Sequence, residues 1–94
     1  MKTAIIVISE ASISMAKTLK QELPESEIFS TIANADCRHI PALQEAVPQL
    51  FRDSDALIFI GAMGICVRAI APCIEDKKTD PAVLCVDSTG RYVI

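Results

Sequence analysis

Apolar residues occur in four short runs along the chain, separated by segments with helical or polar patterns. The runs are TAIIVIS (3–9), EIFSTI (27–32), DALIFI (55–60) and PAVLCV (81–86), and they are rich in β-branched residues. Runs that are apolar on both faces are typical of strands buried in a parallel sheet. The pattern therefore predicts four strands, of which the first and third are apolar on both faces.

Between these strands, apolar positions recur at helical spacing and predict three helices. In the first helix the apolar positions are Ala16, Leu19 and Leu23, while the polar residues between them, Lys17, Lys20, Gln21 and Glu22, are expected to face water. Ser12 is expected to cap this helix and Pro24 to end it. The segment NADCRHI (34–40), before the second helix, is predicted to be a loop.

Prolines shape the second and third helices. One apolar face runs through the second helix after Pro41, and Pro48 lies inside it. This helix is therefore either kinked or restarts with Pro48 in its first turn. The third helix is predicted to begin near Met63 or Gly64 and to be cut at Pro72, which can open a short second segment, PCIED.

The last residues predict a hairpin. The segment DSTG (87–90) is typical of a tight turn, with Gly90 placed for the positive φ of a bulged hairpin, and RYVI (91–94) is expected to return antiparallel. The alternation predicts an α/β fold, a three-layer sandwich with a mostly parallel sheet, in the order β-α-β-α-β-α-β-β with the last strand antiparallel. Residues 1–94 are expected to form a single domain.

Composition narrows the possible functions. The net charge is −3, and the nine lysines and arginines are scattered without a basic stripe, which disfavours binding to nucleic acid. The apolar run AIIVI near the start is too short for a signal peptide, and no stretch approaches the length of a membrane span. We therefore expect a cytoplasmic protein without a membrane partner.

The cysteines do not show the spacing of a metal site. Cys37, Cys66, Cys73 and Cys85 contain no Cys-x-x-Cys pair, and His39 is the only histidine. A zinc or iron–sulfur site is therefore not expected. For a cytoplasmic protein the four thiols are expected to be reduced and buried. His39 is expected to be a surface loop residue.

Ligands of open α/β sheets bind beyond the carboxyl ends of the strands. In the loop GAMG, Gly61 and Gly64 let the backbone approach a ligand closely, and the first N–H groups of the next helix attract anions. Arg68, one turn later, can add a bidentate contact to a carboxylate or phosphate. The same residues suit a plain tight turn with a surface ion pair equally well. The other two loops at this edge are SEAS and DSTG.

Two aspartates are candidates for a general base. Asp87 follows the fourth strand at its carboxyl end, where a carboxylate can accept a proton. Asp80 lies in the charged segment EDKKTDP. Asp80 before Pro81 is also a common turn opener, Asp87 is a common first residue of a hairpin turn, and the charged segment is typical of a solvated loop.

Three ordered elements in the second half of the chain carry a family resemblance. They have the forms Gly-(Ile/Val)-x-Val-Arg-x-Ile-x-Pro, Lys-x-x-Asp-Pro-Ala-Val and Val-Asp-x-x-Gly. The matching residues are Gly64, Ile65, Val67, Arg68, Ile70 and Pro72, then Lys77, Asp80, Pro81, Ala82 and Val83, then Val86, Asp87 and Gly90. Together with the stretches KTAIIVIS and LFRDSDALIFI, they resemble the N-terminal region of the CbiG family of anaerobic cobalamin biosynthesis.

The resemblance implies an α/β fold and an enzyme of tetrapyrrole metabolism. Family members hydrolyse the lactone of cobalt-precorrin-5A and release a two-carbon fragment as acetaldehyde. The partner is therefore expected to be a small tetrapyrrole substrate, and no cofactor is expected because the substrate carries the cobalt. Such a ligand needs an apolar floor, cations at the rim and donors for developing oxyanions.

The resemblance also assigns roles to particular residues. The residues expected to bind the substrate are Gly61, Met63, Gly64, Ile65 and Arg68. The weak candidates for orienting or deprotonating the attacking water are Asp80 and Asp87.

One departure from the family leaves other functions open. In the family a Leu-Leu-Ser-Gly-His-x-Gly-Gly-Ala-Asn element follows the strand that matches RYVI, whereas this chain ends at Ile94. We therefore expect a truncated N-terminal part of a larger protein, inactive by itself. The alternative is a non-catalytic scaffold or a dimerisation domain, in which the exposed last strand favours a homodimer. A flavodoxin-like binder of a phosphorylated ligand is a third possibility, based on fold analogy alone.

Overall fold

Each predicted apolar run contains a strand in a computed structural model, which describes residues 2–32, 37–61, 63–73, 80–86 and 92–93. The helices are α1 (Glu10–Glu22), α2 (Leu43–Asp53) and α3 (Met63–Ile70), and a 3-10 turn, Ala71–Cys73, follows α3. The strands are β1 (Thr3–Val7), β2 (Ser26–Ser30), β3 (Arg38–His39), β4 (Ala56–Ile60), β5 (Ala82–Val86) and β6 (Tyr92–Val93).

The described strands form one sheet in the order β3-β2-β1-β4-β5-β6. The pairs from β3 to β5 are parallel, and β6 pairs antiparallel with β5, with Val93 opposite Cys85. All five residues of β1 are buried. A nearly continuous apolar strand belongs at the centre of a parallel sheet because helices cover it on both faces. The predicted α/β class with a mostly parallel sheet is confirmed.

Helices lie on both faces of the sheet, and alternate strand residues face each layer. On one face, Ile13 and Ala16 of α1 share a buried cluster with Ile5 of β1 and Ile58 of β4. On the other face α2 and α3 pack together against the sheet. The fully or largely buried members of that second cluster include Ala4, Ile6, Phe29, Val47, Phe51, Leu57, Phe59, Cys66 and Ala69.

α2 is one helix that continues through Pro48. Of the two predicted alternatives, a restart at Pro48 is therefore wrong. Proline removes the hydrogen bond to the carbonyl of Gln44, but both residues are exposed, so water can satisfy that carbonyl. Burial of Val47 and Phe51 holds the helix against the sheet.

The segment 34–40, predicted to be a loop, contains a short strand. Arg38 and His39 of β3 lie opposite Phe29 and Ser30 of β2 in a parallel register. The predicted element order therefore lacks one strand. A two-residue polar strand at the edge of a sheet carries no apolar alternation that a sequence pattern could reveal.

The start of α1 also differs from the prediction. The helix begins at Glu10 after Ser9, so Ser12 is not its cap but lies inside the first turn. The N–H of Ser12 donates to the carbonyl of Ser9 at 3.1 Å, and the two hydroxyl oxygens are 3.0 Å apart. Serines three residues apart compete for the cap position, and the earlier one takes it here.

The prediction that all four cysteines are reduced is wrong for one pair. Cys66 of α3 and Cys85 of β5 form a disulfide across the interface of helix and sheet. Both residues are buried, at 1% and 6% exposure. Cys37 and Cys73 keep their thiol groups outside any disulfide and are half-buried. The disulfide fastens α3 to the strand beneath it.

The longest helix, α1, has 13 residues, whereas a membrane span needs about 20. No helix among the described residues has the length and apolar character to cross a membrane.

Candidate functional site

The sheet changes direction between β1 and β4. From β1 the chain moves outward to β2 and β3, and it then returns to place β4 and β5 on the other side of β1. Val7 and Ile60 are paired at the carboxyl ends of the two central strands. Connections that leave such a point in opposite directions open a crevice where α/β proteins bind ligands. We call this end of β1 and β4, together with the described residues that follow each strand, 8–12, 61 and 64–68, the switch crevice.

Gly61 is the first residue after β4 and lies at the base of the switch crevice. Its N–H donates to the carbonyl of Val86 at 2.8 Å, which ties the loop after β4 to the end of β5. Its φ is 153°, a backbone conformation that residues other than glycine rarely adopt. A Cβ at this position would lie 3.3 Å from Cδ1 and Cγ1 of Ile8. The backbone conformation therefore favours glycine here, and a larger residue would also have to displace the side chain of Ile8 slightly.

Two helices begin at the switch crevice, and their first N–H groups lie near it. α1 carries Glu10 in its first turn, whereas the first turn of α3 has no acidic residue. The amino end of a helix carries a partial positive charge and N–H groups without intrahelical partners. Because no carboxylate compensates it, the amino end of α3 is the more suitable of the two for an anionic group.

The solvent side of α3 combines apolar groups with one cation. Gly64, Ile65, Val67 and Arg68 are exposed, whereas Cys66 between them is buried. The exposed fractions of Ile65 and Val67 are 39% and 47%, which are large for aliphatic side chains. A Cβ on Gly64 would meet no atom within 4 Å, so the backbone is open to a ligand there.

Arg68 is available for an external partner. Its side chain is exposed, and none of the described residues offers it a hydrogen bond or an ion pair. The predicted alternative was a pairing of Arg68 with a surface acid, and within the described ranges no such pair is present. An exposed guanidinium beside open backbone and apolar side chains suits a ligand that carries carboxylates on an apolar body.

The structure brings together some of the predicted site residues and separates others. Gly61, Gly64, Ile65 and Arg68 follow one another along the loop and the first turns of α3, and Met63 is the first residue of that helix. The side chain of Met63 is not among the described groups.

Asp80 and Asp87 do not join this group in the structure as described. Asp80 is half-buried just before β5, at the amino edge of the sheet. It precedes Val86 by six residues, roughly 20 Å along an extended strand, so Asp80 lies far from Gly61. Asp87 lies outside the described residues. His39 is exposed in the edge strand β3, away from the switch crevice.

Sequence patterns missed two contributors to the crevice. Ile8 ends the first apolar run and could not be distinguished there from a core residue, yet it contacts Gly61. Ser9 belongs to the loop SEAS, and its hydroxyl lies 3.0 Å from that of Ser12. The rule that ligands bind beyond the carboxyl ends of the strands already selects the SEAS loop. The strand order adds that β1 and β4 are neighbours, so the loops that follow these two strands lie side by side.

Within the described residues, no three or more His, Cys, Asp or Glu side chains cluster in a way that could hold a metal ion. The chemistry that the described crevice offers is therefore binding of an anion by N–H groups and a guanidinium, next to apolar surface.

Comparisons with known proteins agree with this fold. The cobalt-precorrin-5A hydrolase of Salmonella typhimurium is 36% identical over 94 residues, and that of Priestia megaterium is 31% identical over 99 residues. Each alignment covers 97% of this chain but 26% of the relative, so the chain spans about a quarter of their length.

A solved structure shows the same fold. It is described as a cobalamin biosynthesis protein G homolog from Sulfolobus solfataricus. Its TM-score is 0.76 at 19% identity, and the match covers 99% of this chain and 29% of that one.

A match to a family model identifies the family of this chain. The model described as cobalamin synthesis G N-terminal matches residues 45–94, just over half of the chain. The match contains all but the first two residues of α2, and all of β4, α3 and β5, and therefore the GAMG loop and Arg68. This chain belongs to the cobalamin synthesis G N-terminal (CbiG) family.

Proposed function

We propose that the chain contributes the switch crevice and the exposed side of α3 to the substrate site of a cobalt-precorrin-5A hydrolase. Two curated relatives carry that name, and each is about four times as long as the part matched here. The observation that carries the proposal is the exposed Arg68, which pairs with none of the described residues, beside the open backbone of Gly64. Arg68 lies on α3, and the amino end of α3 faces the switch crevice.

The substrate chemistry fits these groups. A precorrin has carboxylates around an apolar macrocycle, and the substrate itself carries the cobalt, so we propose no cofactor. Ile65 and Val67 offer apolar contact, and Arg68 offers charge-assisted hydrogen bonds to an acetate or propionate group. The N–H groups at the start of α3 can donate to a second carboxylate or to the lactone carbonyl.

The proposed reaction is hydrolysis of the lactone with release of acetaldehyde. Water attacks the lactone carbonyl, whose oxygen carries negative charge in the transition state, and the acyl C–O bond breaks to give a carboxylate and an alcohol. Acetaldehyde leaves when that alcohol loses its O–H proton and the carbon–carbon bond to the macrocycle breaks, with the electron pair and a proton taken up by the macrocycle. N–H donors already fixed at the start of α3 would stabilise that charge without reorganising. A carboxylate must still orient the water, and Asp87 is the proposed candidate because it directly follows Val86, the last residue of β5, in the sequence. Asp80, at the other edge, is not proposed for this role.

A second function is favoured by one observation. Ile65 and Val67 expose more surface than isolated aliphatic residues of a helix usually do, and most of each relative lies outside the matched region. In this second function, another part of the enzyme would cover the side of α3 that exposes Ile65 and Val67. In this case the chain would be a non-catalytic scaffold, or a dimerisation domain, of a cobalamin biosynthesis protein.

We predict that replacing Arg68 with alanine weakens binding of a lactone-bearing cobalt corrinoid at least tenfold. A hydrogen bond to a charged group contributes about 1.5 to 3 kcal/mol, and ten-fold in affinity is about 1.4 kcal/mol. The measurement is a visible-absorption titration of the 94-residue chain. Arg52→Ala is the matched control, since Arg52 is exposed in the last turn of α2.

The two functions give different results. Substrate binding predicts a saturable spectral change that Arg52→Ala keeps and Arg68→Ala loses. Equal affinities for the wild type and Arg68→Ala would remove Arg68 from the site. A wild-type chain that produces no spectral change would support the scaffold.

A further inference from the structure

The two faces of the sheet are not covered equally. α2 and α3 pack together on one face, whereas in the described part of the chain the other face is covered by α1. α1 packs on β1, β2 and β4. The residues of β5 that point to the same side, Ala82 and Leu84, are exposed and half-buried respectively.

An apolar groove lies on this uncovered part of the sheet. It has a volume of about 330 Å³ and runs between Leu23, after the end of α1, and Leu84 of β5. Its floor is shallow because two alanines, Ala56 of β4 and Ala82 of β5, lie side by side in the register. The remaining lining residues are Thr3, Leu57, Ile58 and Val83.

The position of the groove separates it from the switch crevice. Thr3, Ala56 and Ala82 are the first residues of their strands, so the groove lies at the amino edge of the sheet. Gly61 and the start of α3 lie at the carboxyl edge. The groove also faces the side of the sheet opposite to α3, so the proposed substrate site does not use it.

We propose that this groove is the docking site for an amphipathic helix from the part of the enzyme that lies outside the matched quarter in the relatives. Parallel sheets are stable when both faces are covered, and a helix is the element that covers them in α/β proteins. A helix is about 10 Å wide, which suits the strip of β4 and β5 beside α1. Aliphatic side chains of the helix would fill the depression above the two alanines.

The direction of β6 identifies the segment. β6 pairs antiparallel with β5 and therefore runs from the carboxyl edge toward the amino edge, where the groove opens. A segment that continues from this strand, as the longer relatives have, would start on the way to the groove and would need only a short connection to reach it, and short connections are the rule between consecutive elements. A second copy of this chain would instead use an exposed sheet edge, since edge strands pair with other strands.

The test uses the 94-residue chain and a peptide of about 30 residues, long enough for a helix of 20 residues or 30 Å. The peptide copies the segment that follows the matched region in the Salmonella typhimurium relative. Amide chemical shifts of the isotope-labelled chain are recorded as peptide is added. We expect shifts at Ile58, Ala82 and Leu84, and a peptide affinity that falls at least tenfold in Leu84→Gln.

Two further variants make the test decisive. Ala82→Gln places a polar side chain at an exposed position in the groove. We expect it to weaken binding of the peptide without unfolding the chain. Ile65→Gln, on the opposite face, is the matched control and is expected to leave the peptide affinity unchanged. The proposal is overturned if the peptide does not bind, if it shifts the amides around Ile65, or if the chain alone dimerises through Leu84. No corrinoid is involved, so the result is independent of the proposed catalytic site.

Discussion

Replacing Gly61 with alanine is expected to lower the free energy of unfolding by about 2 kcal/mol, because a side chain in this backbone conformation is strained. The φ of Gly61 is 153°, and the new Cβ would lie 3.3 Å from two carbons of Ile8. Ile8 would have to move, or the hydrogen bond from Gly61 to Val86 would lengthen. Urea unfolding followed by circular dichroism measures the loss.

Gly64→Ala is the matched control for this prediction. A Cβ at Gly64 meets no atom within 4 Å, and the residue lies in α3. Alanine there should raise the free energy of unfolding by about 0.5 to 1 kcal/mol because it restricts the unfolded chain. Equal stability losses in the two variants would contradict the geometry of the Gly61 loop. If Gly64→Ala is more stable but binds the corrinoid more weakly, close approach of the ligand to the backbone is the reason.

Reduction of the disulfide between Cys66 and Cys85 is expected to lower the free energy of unfolding by about 3 kcal/mol, the value for a closed loop of this size. The two cysteines are 19 residues apart in the sequence. Without the bond, the unfolded chain gains freedom, and α3 is held to β5 by packing alone. Urea unfolding with and without a thiol reductant measures the difference.

Cysteine variants separate this effect from other actions of the reductant. Cys85→Ala should lose the dependence on reductant, whereas Cys73→Ala should keep it, because Cys73 is free. Thiol titration of the unreduced wild type in denaturant should find two reactive thiols, those of Cys37 and Cys73. Four reactive thiols in that titration would show that the disulfide is not formed.

The parts of the fold that were predictable are those set by local patterns. The runs at residues 3–9, 27–32, 55–60 and 81–86 each coincide with a parallel strand to within one residue at the start, because strands of a parallel sheet are largely buried and therefore apolar over most of their length. The strand β3 was not predictable, since Arg38 and His39 are paired through the backbone and exposed through their side chains. Pairing of that kind depends on tertiary structure and not on side-chain pattern.

Contacts between distant parts of the chain were the least predictable. Cys66 and Cys85 differ in element type and show no motif spacing, so their proximity follows only from the packing of α3 on β5. Gly61 and Asp80 have the same sequence separation as the two cysteines, yet they lie at opposite edges of the sheet. The GAMG loop and Arg68 were found because glycines and a helix start are local signals. The partnership of Ile8 with Gly61 required the strand order.

The strand order also explains why the proposed substrate site lies where it does. β1 and β4 are neighbours although α1, β2, β3 and α2 separate them in the sequence. This arrangement places the amino ends of α1 and α3 on the two sides of one crevice. A macrocycle lying across the crevice could contact α3 with its apolar body and Arg68 with a rim carboxylate.

The most direct test of this site is an amide chemical-shift titration of the 94-residue chain with a lactone-bearing cobalt(III) corrinoid. A substrate site in the switch crevice predicts saturable shifts at Ile8, Ser9, Gly61 and Gly64, with little change at Ala82. Shifts confined to the amino edge of the sheet around Ala82, or no shifts at saturating corrinoid, would contradict it.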